Sequence, residues 1–362
     1  MSSKRHERRT VGVVARTLML LAAFLLFMTY ASMVVNPAKA WYMTFLGLMF
    51  VPVVLLNVLL LIWSLRRKSK AFLIPLLALL PSFIFIGRYF QISSSVDDAK
   101  EEGTMKIMSY NVGRFILGRE KEFKGAEGRK ACMDSVMAFI RKTDADVVCL
   151  QEVDSDGEYD VRNFIEEHFP DYQSGYFMFI NNGGAYGNVT LSKYPIVGKG
   201  RLQFDKSSNL AIYTDLEIGD LTLRVYNCHF ESYNISLANI VKAWRRDSTF
   251  VRSTEAKLKR SITRRPLQVD QVMSDIEECP VEAIVAGDFN DNPMSYTYYR
   301  LMKGRKDSFV EAGKGFGATY SGLRPFIRID YILFPKHMKA VSNKIPHLKY
   351  SDHFPVVSEI SL

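Results

Sequence analysis

Three long uncharged runs near the start of this 362-residue chain limit its fold more than any other feature. Thr17 to Val35 and Trp41 to Leu65 carry no charged side chain, and Ala71 to Gly87 is a third apolar run interrupted by Pro75 and Pro81. A helix needs about 20 apolar residues to cross the hydrocarbon core of a bilayer. Lipid offers the main chain no hydrogen-bond partner, so segments of this kind cross as helices. The sequence therefore predicts three transmembrane helices, at about 17–35, 41–65 and 71–87, within a membrane domain covering 11–90. The third run is short for a span, and its prolines predict a kink.

Orientation follows from the basic residues. Residues 1–10 form a basic tail with Lys4, Arg5, Arg8 and Arg9, and Arg66, Arg67, Lys68 and Lys70 lie between the second and third runs. The first loop has only Lys39. Positive residues stay on the cytoplasmic side, which predicts a cytoplasmic N-terminus and an extracytoplasmic remainder after three crossings. That topology fits a bacterial inner membrane with the rest of the chain facing the periplasm. Ala38-Lys39-Ala40 also resembles a small-x-small cleavage site. Cleavage there would leave a two-span hairpin and the same outward orientation. Residues 91–104, with Asp97, Asp98, Glu101 and Glu102, read as a polar linker to a domain at 105–362.

The net charge of +9 favours anionic partners: phosphates, nucleic acid or an anionic bilayer. The four cysteines form neither a CxxC pair nor zinc-ligand spacing, and Cys149 and Cys228 lie in apolar runs as small buried hydrophobes do. Walker, GxSxG, HExxH and GxGxxG patterns are absent, as are internal repeats. This excludes the familiar P-loop, serine-hydrolase, zincin and dinucleotide-binding classes.

Beyond the linker, polar residues recur where apolar strands end. Met105–Val112 reads as a strand closing on Asn111, and Asp146–Val153 as a buried strand delivering Glu152. A helix is predicted at about 129–142 and a short one at 163–169. Gly183–Pro195 reads as a glycine-rich loop feeding a strand and contains Asn188. Ala211–Ile218 and Leu221–Cys228 form a hairpin about Gly219-Asp220, and the second strand leads into His229. Residues 240–267 are basic and helical in pattern, with Lys242, Arg245, Arg246, Arg252, Lys257, Lys259, Arg260, Arg264 and Arg265. Such a run is either a solvated face or a footprint for phosphates. Ala283–Ala286 is a buried strand that breaks at Gly287 and presents Asp288 and Asn290 before Pro293. Alone, that turn is also an ordinary Asx turn. Arg328–Leu333 carries Asp330, and Asp352-His353 precedes one last strand.

Taken in order, the stretches SYNV, LQEV, GNVTLSKYP, NCHF, GDFNDNP, RIDYI and SDHFPV resemble the endonuclease/exonuclease/phosphatase superfamily. It includes exonuclease III-like and pancreatic-type deoxyribonucleases, inositol polyphosphate 5-phosphatases and neutral sphingomyelinases. The resemblance covers residues 105–362 and none of the apolar runs. It implies an α/β fold, a four-layer α/β sandwich of two packed, mostly antiparallel sheets flanked by helices, here preceded by the three transmembrane helices. It implies a divalent metal, Mg²⁺ with Mn²⁺ as a substitute, held by Glu152 with Asn111 and Asp352. Oxygen donors of this kind suit a hard cation. It implies in-line attack of water on a phosphate ester: His353, oriented by Asp330, as general base, or Asp288 orienting the water instead. Asn290 and His229 would contact the phosphate or the leaving oxygen, and Asn188 would lie on the substrate side. The expected activity is a Mg²⁺-dependent phosphoesterase, nuclease-like first, with a phospholipid or sphingolipid phosphodiesterase or phosphatase as the alternative. A non-catalytic membrane scaffold is a third reading, which the complete residue set opposes. The expected partners are the phosphate-ester substrate and the lipid bilayer, with no obligate protein partner.

Overall fold

The computed structural model describes residues 11–92, 103–156, 161–181, 184–233, 248–322 and 324–362. The basic tail, most of the expected linker, and residues 240–247 with Lys242, Arg245 and Arg246 lie outside the described residues.

The apolar runs form α1 (Val13–Ala31), α2 (Met43–Leu48), α3 (Phe50–Arg66), α4 (Leu73–Leu79) and α5 (Ser82–Phe85). By length and composition, Val13–Ala31 and the Lys70–Arg88 stretch are able to cross a membrane; the apolar Phe50–Arg66 has 17 residues. Prolines explain where the helices depart from the predicted runs. Pro52 falls in the first turn of α3, so the second run is two helices broken at Met49 rather than one. A proline deeper in a helix would clash with the carbonyl four residues back. Pro81 divides the third run in the same way, by capping α5. The helices turn apolar side chains outward, including Leu21, Phe24, Leu59, Leu77 and Phe83. Between α1 and α3 the fully buried Asn57 donates to Ala22 O at 3.1 Å and Val53 O at 2.9 Å. A side-chain amide that would otherwise be orphaned thus fixes how the two helices meet.

The rest of the chain alternates strands and helices. In chain order the strands are β1 (Phe90–Gln91), β2 (Thr104–Asn111), β3 (Val147–Asp156), β4 (Gln173–Asn181), β5 (Gly184–Ser192), β6 (Ile196–Gln203), β7 (Leu210–Ile218), β8 (Leu221–His229), β9 (Glu282–Asp288), β10 (Arg305–Asp307), β11 (Gly315–Phe316), β12 (Asp330–Pro335), β13 (Lys339–Lys344) and β14 (Val356–Ser361). The helices are α6 (Gly125–Thr143), α7 (Val161–His168), α8 (Ser248–Glu278), α9 (Tyr296–Leu301) and α10 (Ser308–Ala312). Two six-stranded sheets result, ordered β13-β14-β2-β3-β5-β4 and β10-β12-β9-β8-β7-β6. Each is antiparallel except for one central parallel pair, β2 with β3 and β8 with β9.

Strand alternation sorts the apolar residues into three layers. Met105, Ile107, Val147 and Cys149 meet Leu223, Val225, Ile284 and Ile332 between the sheets. Met108, Tyr110, Val148 and Leu150 point the other way, onto Val136, Met137 and Ile140 of α6. Tyr226, Cys228, Val285 and Tyr331 cover the opposite face with Val269 and Val272 of α8 and Tyr298 of α9. The order is helix, sheet, sheet, helix. Cys132, Cys149 and Cys228 are buried free thiols, and Cys279 is a half-buried one.

Two expectations change here. The glycine-rich stretch is strand β5, because β3 and β4 pair with it on both sides and that double ladder outweighs weak propensity. The first residues of the expected linker are also structured, since β1 pairs with β11.

Candidate active site

Both parallel pairs end at the same place. Strands running the same way deliver their carboxyl ends together, so β2 and β3 bring Asn111 and Glu152 while β8 and β9 bring His229 and Asp288. Antiparallel β12 starts where β9 ends and sets Asp330 opposite Asp288. The segment ahead of β14 supplies Asp352 and His353, and a bridge between Tyr320 and His353 holds it. The inter-sheet core turns polar as it nears this end: Gln151 Nε2 donates to Asn227 Oδ1 at 2.8 Å, and Asn227 Nδ2 donates to Val189 O at 3.0 Å.

Local backbone strain aims two of these side chains. Glu152 has φ 54° and Asn290 φ 51°, left-handed values that cost residues other than glycine ~1–3 kcal/mol. Glu152 sits where the β3–β5 register slips between Leu150 and Val153, a bulge that turns its carboxylate out of the sheet alternation. Gly287 has φ 137°, and a Cβ there would lie 1.9 Å from Cys228 O. Only glycine lets β9 approach β8 this closely just before Asp288.

Asp288 is the hub. Its Oδ2 accepts from Asn111 Nδ2 at 2.9 Å and Asn290 Nδ2 at 3.1 Å, and its Oδ1 accepts from Asn290 N at 2.8 Å. His229 Nε2 and His353 Nε2 each lie 3.8 Å from Asp288 Oδ2. His353 Nδ1 is 3.0 Å from Asp330 Oδ2, and Asp330 N is itself held by Thr319 Oγ1 at 3.0 Å. Glu152 Oε1 accepts from Asn111 Nδ2 at 3.3 Å and faces His229 Nε2 at 3.5 Å. Asp352 is half-buried, its Oδ1 accepting from Ser351 Oγ at 3.3 Å, and its charge bears on both Glu152 and His353.

The electrostatics follow from burial and these neighbours. Burial raises the Asp288 carboxyl to about 6, with His353 opposing the shift and Asp330 adding to it. Burial likewise raises Glu152, against His353 and the Asn111 hydrogen bond. For His353, burial lowers the imidazolium, but Asp330 and Asp288 outweigh it and hold the group well above the usual histidine value. Burial lowers His229, which is therefore neutral near pH 7.

Glu152, Asp288, Asp330 and Asp352 crowd together, and among the described residues no Lys or Arg forms an ion pair with any of them. Asp288, Asp330 and His353 bring ligand atoms within 4.8 Å of one another. The carboxylates outnumber the one imidazolium, His353, and hard oxygen donors with excess negative charge fit a divalent cation.

Of the expected residues, Asn111, Glu152, His229, Asp288, Asn290, Asp330 and His353 share one contact network, with Asp352 beside it. Asn111 does not turn its oxygen toward Glu152: Oδ1 accepts from Gly113 N at 3.0 Å, and its amide bridges Glu152 and Asp288. Asn188, expected on the substrate side, lies opposite the β3 bulge that carries Glu152. Fully buried, it donates to Asn227 O at 3.1 Å and Leu210 O at 3.4 Å, tying one sheet to the other behind His229. The basic run is not one solvated face, since Arg265 is 2% exposed and its Nη1 lies 3.1 Å from Asp291 Oδ2. Sequence reading missed Tyr186, whose hydroxyl is 3.5 Å from His229 Nδ1, and Tyr320, whose ring packs edgewise on His353 at 5.2 Å. Tyr186 fell inside the presumed loop; its alternation with Asn188 was the available signal.

Comparison with known proteins bears on the family and the fold. YbhP of Escherichia coli K12, an uncharacterized protein, is 23% identical over 286 residues, covering 73% of this chain and 99% of that one. Among solved structures, an endonuclease/exonuclease/phosphatase from Beutenbergia cavernae superposes with TM-score 0.53 at 18% identity, covering 72% of both chains. One from Bacteroides vulgatus gives 0.52 at 17%, covering 72% of this chain and 99% of its own. The human Nocturnin catalytic domain with bound sulfate gives 0.50 at 18%, covering 74% and 95%. Residues 12–89 match a domain of unknown function. Residues 108–353 match the model of the Endonuclease/Exonuclease/phosphatase family, and the chain belongs to that family.

Proposed function

We propose that this chain is a membrane-anchored, divalent-metal-dependent phosphodiesterase that hydrolyses its substrate by in-line attack of water, with nuclease-like chemistry. Membership of the family implies metal-dependent phosphoester hydrolysis. The observation that carries the finer reading is Asp288, buried at the junction of two amides, two imidazoles and a second carboxylate, with its own carboxyl raised to about 6.

Glu152 and Asp352 are the residues that would hold Mg²⁺ or Mn²⁺, which when bound neutralises charge growing on the phosphate oxygens. Asn111 keeps Glu152 and Asp288 apart through its amide, and so sets the spacing of the two carboxylates. The general base passes from His353 to Asp288. Asp330 and Asp288 keep His353 protonated, so it serves as a charged donor to the phosphate, whereas a carboxyl near 6 is ionised at neutral pH and accepts a proton from water. Neutral His229, between Tyr186 and Glu152, would offer its N–H as a hydrogen bond to the leaving oxygen, which takes its proton from solvent. Asn290 spends its amide on Phe230 O (2.9 Å) and Asp288, and would release the Asp288 contact to reach a non-bridging oxygen.

Three spans with an extracytoplasmic catalytic domain remain the topology that the outward apolar faces of α1, α3 and α4 and the distribution of basic residues support. A second reading, a lipid phosphodiesterase or phosphatase, is favoured by one observation: the turn following Asn290 rests on the apolar helices.

The test uses the full chain in detergent with Mg²⁺ and Glu152→Ala as the blank. Plasmid DNA, RNA, sphingomyelin micelles and bis-p-nitrophenyl phosphate are offered in turn. Turnover of nucleic acid and of the artificial diester, lost in the variant, is expected. Turnover of sphingomyelin alone would replace the nuclease-like reading with the lipid one. No turnover of the artificial diester would refute the phosphodiesterase reading.

A further inference from the structure

Four residues after Asn290, the chain enters the end of the helical bundle. Met294 is fully buried there in one apolar cluster with Ala23, Leu26, Phe50, Val53, Ala78 and Leu79. Ser32 Oγ, at the end of α1, donates to Met294 O at 2.9 Å. Arg88 Nη1 donates to Pro293 O at 2.8 Å, with its guanidinium over the rings of Phe85 and Tyr298. Tyr89 donates to Asn292 Oδ1 at 3.3 Å, and that oxygen also accepts from Met294 N at 2.6 Å. Gly47 of α2 lies so close that a Cβ would fall 2.6 Å from Met294 O. The main chain of one turn is thus gripped by three parts of the bundle that are distant in sequence.

The other side of the turn is equally fixed. Asp291 is held by buried Arg265 at 3.1 Å and by Tyr233 OH at 3.1 Å, and Tyr331 OH donates to Asp291 O at 2.8 Å. Between these anchors and the hub lies Asn290, in a strained left-handed conformation that persists only when its surroundings determine it. A simple tether would need no contact with this turn, and a bundle that served only as an anchor could join the sheets anywhere on their surface.

We propose that the end of the helical bundle is part of the active-site framework. Ser32, Gly47 and Arg88 are positioning residues that set the Asp291–Met294 turn and, through it, Asn290 and Asp288. This inference rests on the phosphodiesterase reading above. Displacing a reacting group by about 1 Å costs on the order of 10²-fold in rate, and a partial displacement through the turn costs less.

The experiment measures bis-p-nitrophenyl phosphate hydrolysis by the full chain in detergent with Mg²⁺, for wild type, Arg88→Ala, Arg88→Lys, Ser32→Ala, Gly47→Ala and Leu59→Ala. Leu59 is 64% exposed on the outer face of α3 and touches none of these groups, so it reports general damage to the bundle. The expected result is a kcat about 10-fold lower in Arg88→Ala and Gly47→Ala with KM within about twofold. Leu59→Ala stays at wild-type rate, and Arg88→Lys, which keeps a donor for Pro293 O, recovers part of the loss. Should Arg88→Ala fail to fold, Ser32→Ala, which removes one hydroxyl, and Gly47→Ala, which adds one methyl, carry the same comparison. Wild-type kcat in Gly47→Ala and Ser32→Ala, or an equal loss in Leu59→Ala, would overturn the inference and leave the phosphodiesterase reading standing. A wild type that turns over no diester beyond the Glu152→Ala blank would remove both.

Discussion

Asp288 concentrates two opposed demands in one carboxylate. The proposed proton transfer from water requires it ionised near pH 7, while complete burial favours its neutral form and raises it to about 6. The folded chain therefore binds this proton more tightly than the unfolded chain, where an aspartate titrates near about 3.9. The stability from this group is fully present below about 4 and is lost as pH rises through about 6. Relative to wild type, metal-free Asp288→Asn should accordingly gain stability as pH rises from 4 to 8, by up to about 3 kcal/mol. Asparagine keeps an acceptor for Asn290 N but sets an NH2 where Oδ2 accepts from Asn111 and Asn290, a cost that does not change with pH. Thermal unfolding with EDTA across that pH range measures it, and an Asp288→Asn protein less stable at pH 8 than at pH 4, relative to wild type, would contradict the burial account. The same residue sets a kinetic expectation: kcat/KM should rise with pH on an acidic limb at or below about 6, since a bound dication favours the carboxylate. Residues of this kind were legible in the sequence because a polar side chain directly after an apolar strand is conspicuous. Tyr186 and Thr319 were not, because an aromatic ring or a hydroxyl beside a strand end has many ordinary uses.

At the scale of elements, the site depends on two parallel pairs embedded in otherwise antiparallel sheets. Strands with unbroken apolar runs, such as β3 and β9, were readable from sequence, as was the α6 helix. The edge strands β4, β6, β10 and β13 were not. β6 alternates half-buried and exposed residues (Ile196–Gln203), and its two glycines weaken the pattern. Helix α8 shows the converse. Its charge suggested one external face, yet tertiary contacts bury Arg265 against Asp291, Glu231 O and the Tyr233 ring, while Lys257, Lys259 and Arg260 are exposed. Charge alone cannot separate the two kinds, because only the turn after Asp288 supplies the partner. Removing one member of a buried pair leaves the other uncompensated, at a cost of about 3–5 kcal/mol. Arg265→Ala should therefore lower stability by several kcal/mol, whereas Lys259→Ala should stay within about 0.5 kcal/mol of wild type. Denaturant titration of the full chain separates them; equal effects would mean that the Arg265–Asp291 pair contributes no more than a surface charge.

At the scale of the whole molecule, a net charge of +9 coexists with a local cluster of four carboxylates that no Lys or Arg among the described residues neutralises. Such clusters carry repulsion that a dication relieves, so ion binding and folding are linked. At a free ion concentration of 100 times Kd the linkage is worth about 2.7 kcal/mol. Mg²⁺ should raise the Tm of the full chain in detergent, and Glu152→Ala should remove most of the rise. The sign of the pH effect is fixed by competition between ion and proton. Burial raises both Glu152 and Asp288, the latter to about 6, so protons compete with the ion as pH falls and the Mg²⁺-dependent rise should be smaller at pH 5 than at pH 7.5. An equal rise at both values, or one that persists in Glu152→Ala, would place the ion elsewhere on the molecule. The apolar helices enter the same test, because Met294 joins their core to the turn that carries Asp288 and Asn290. If bundle and sheets unfold as one cooperative unit, Mg²⁺ should shift the whole transition. If the bundle melts separately, only the transition that contains the sheets should move.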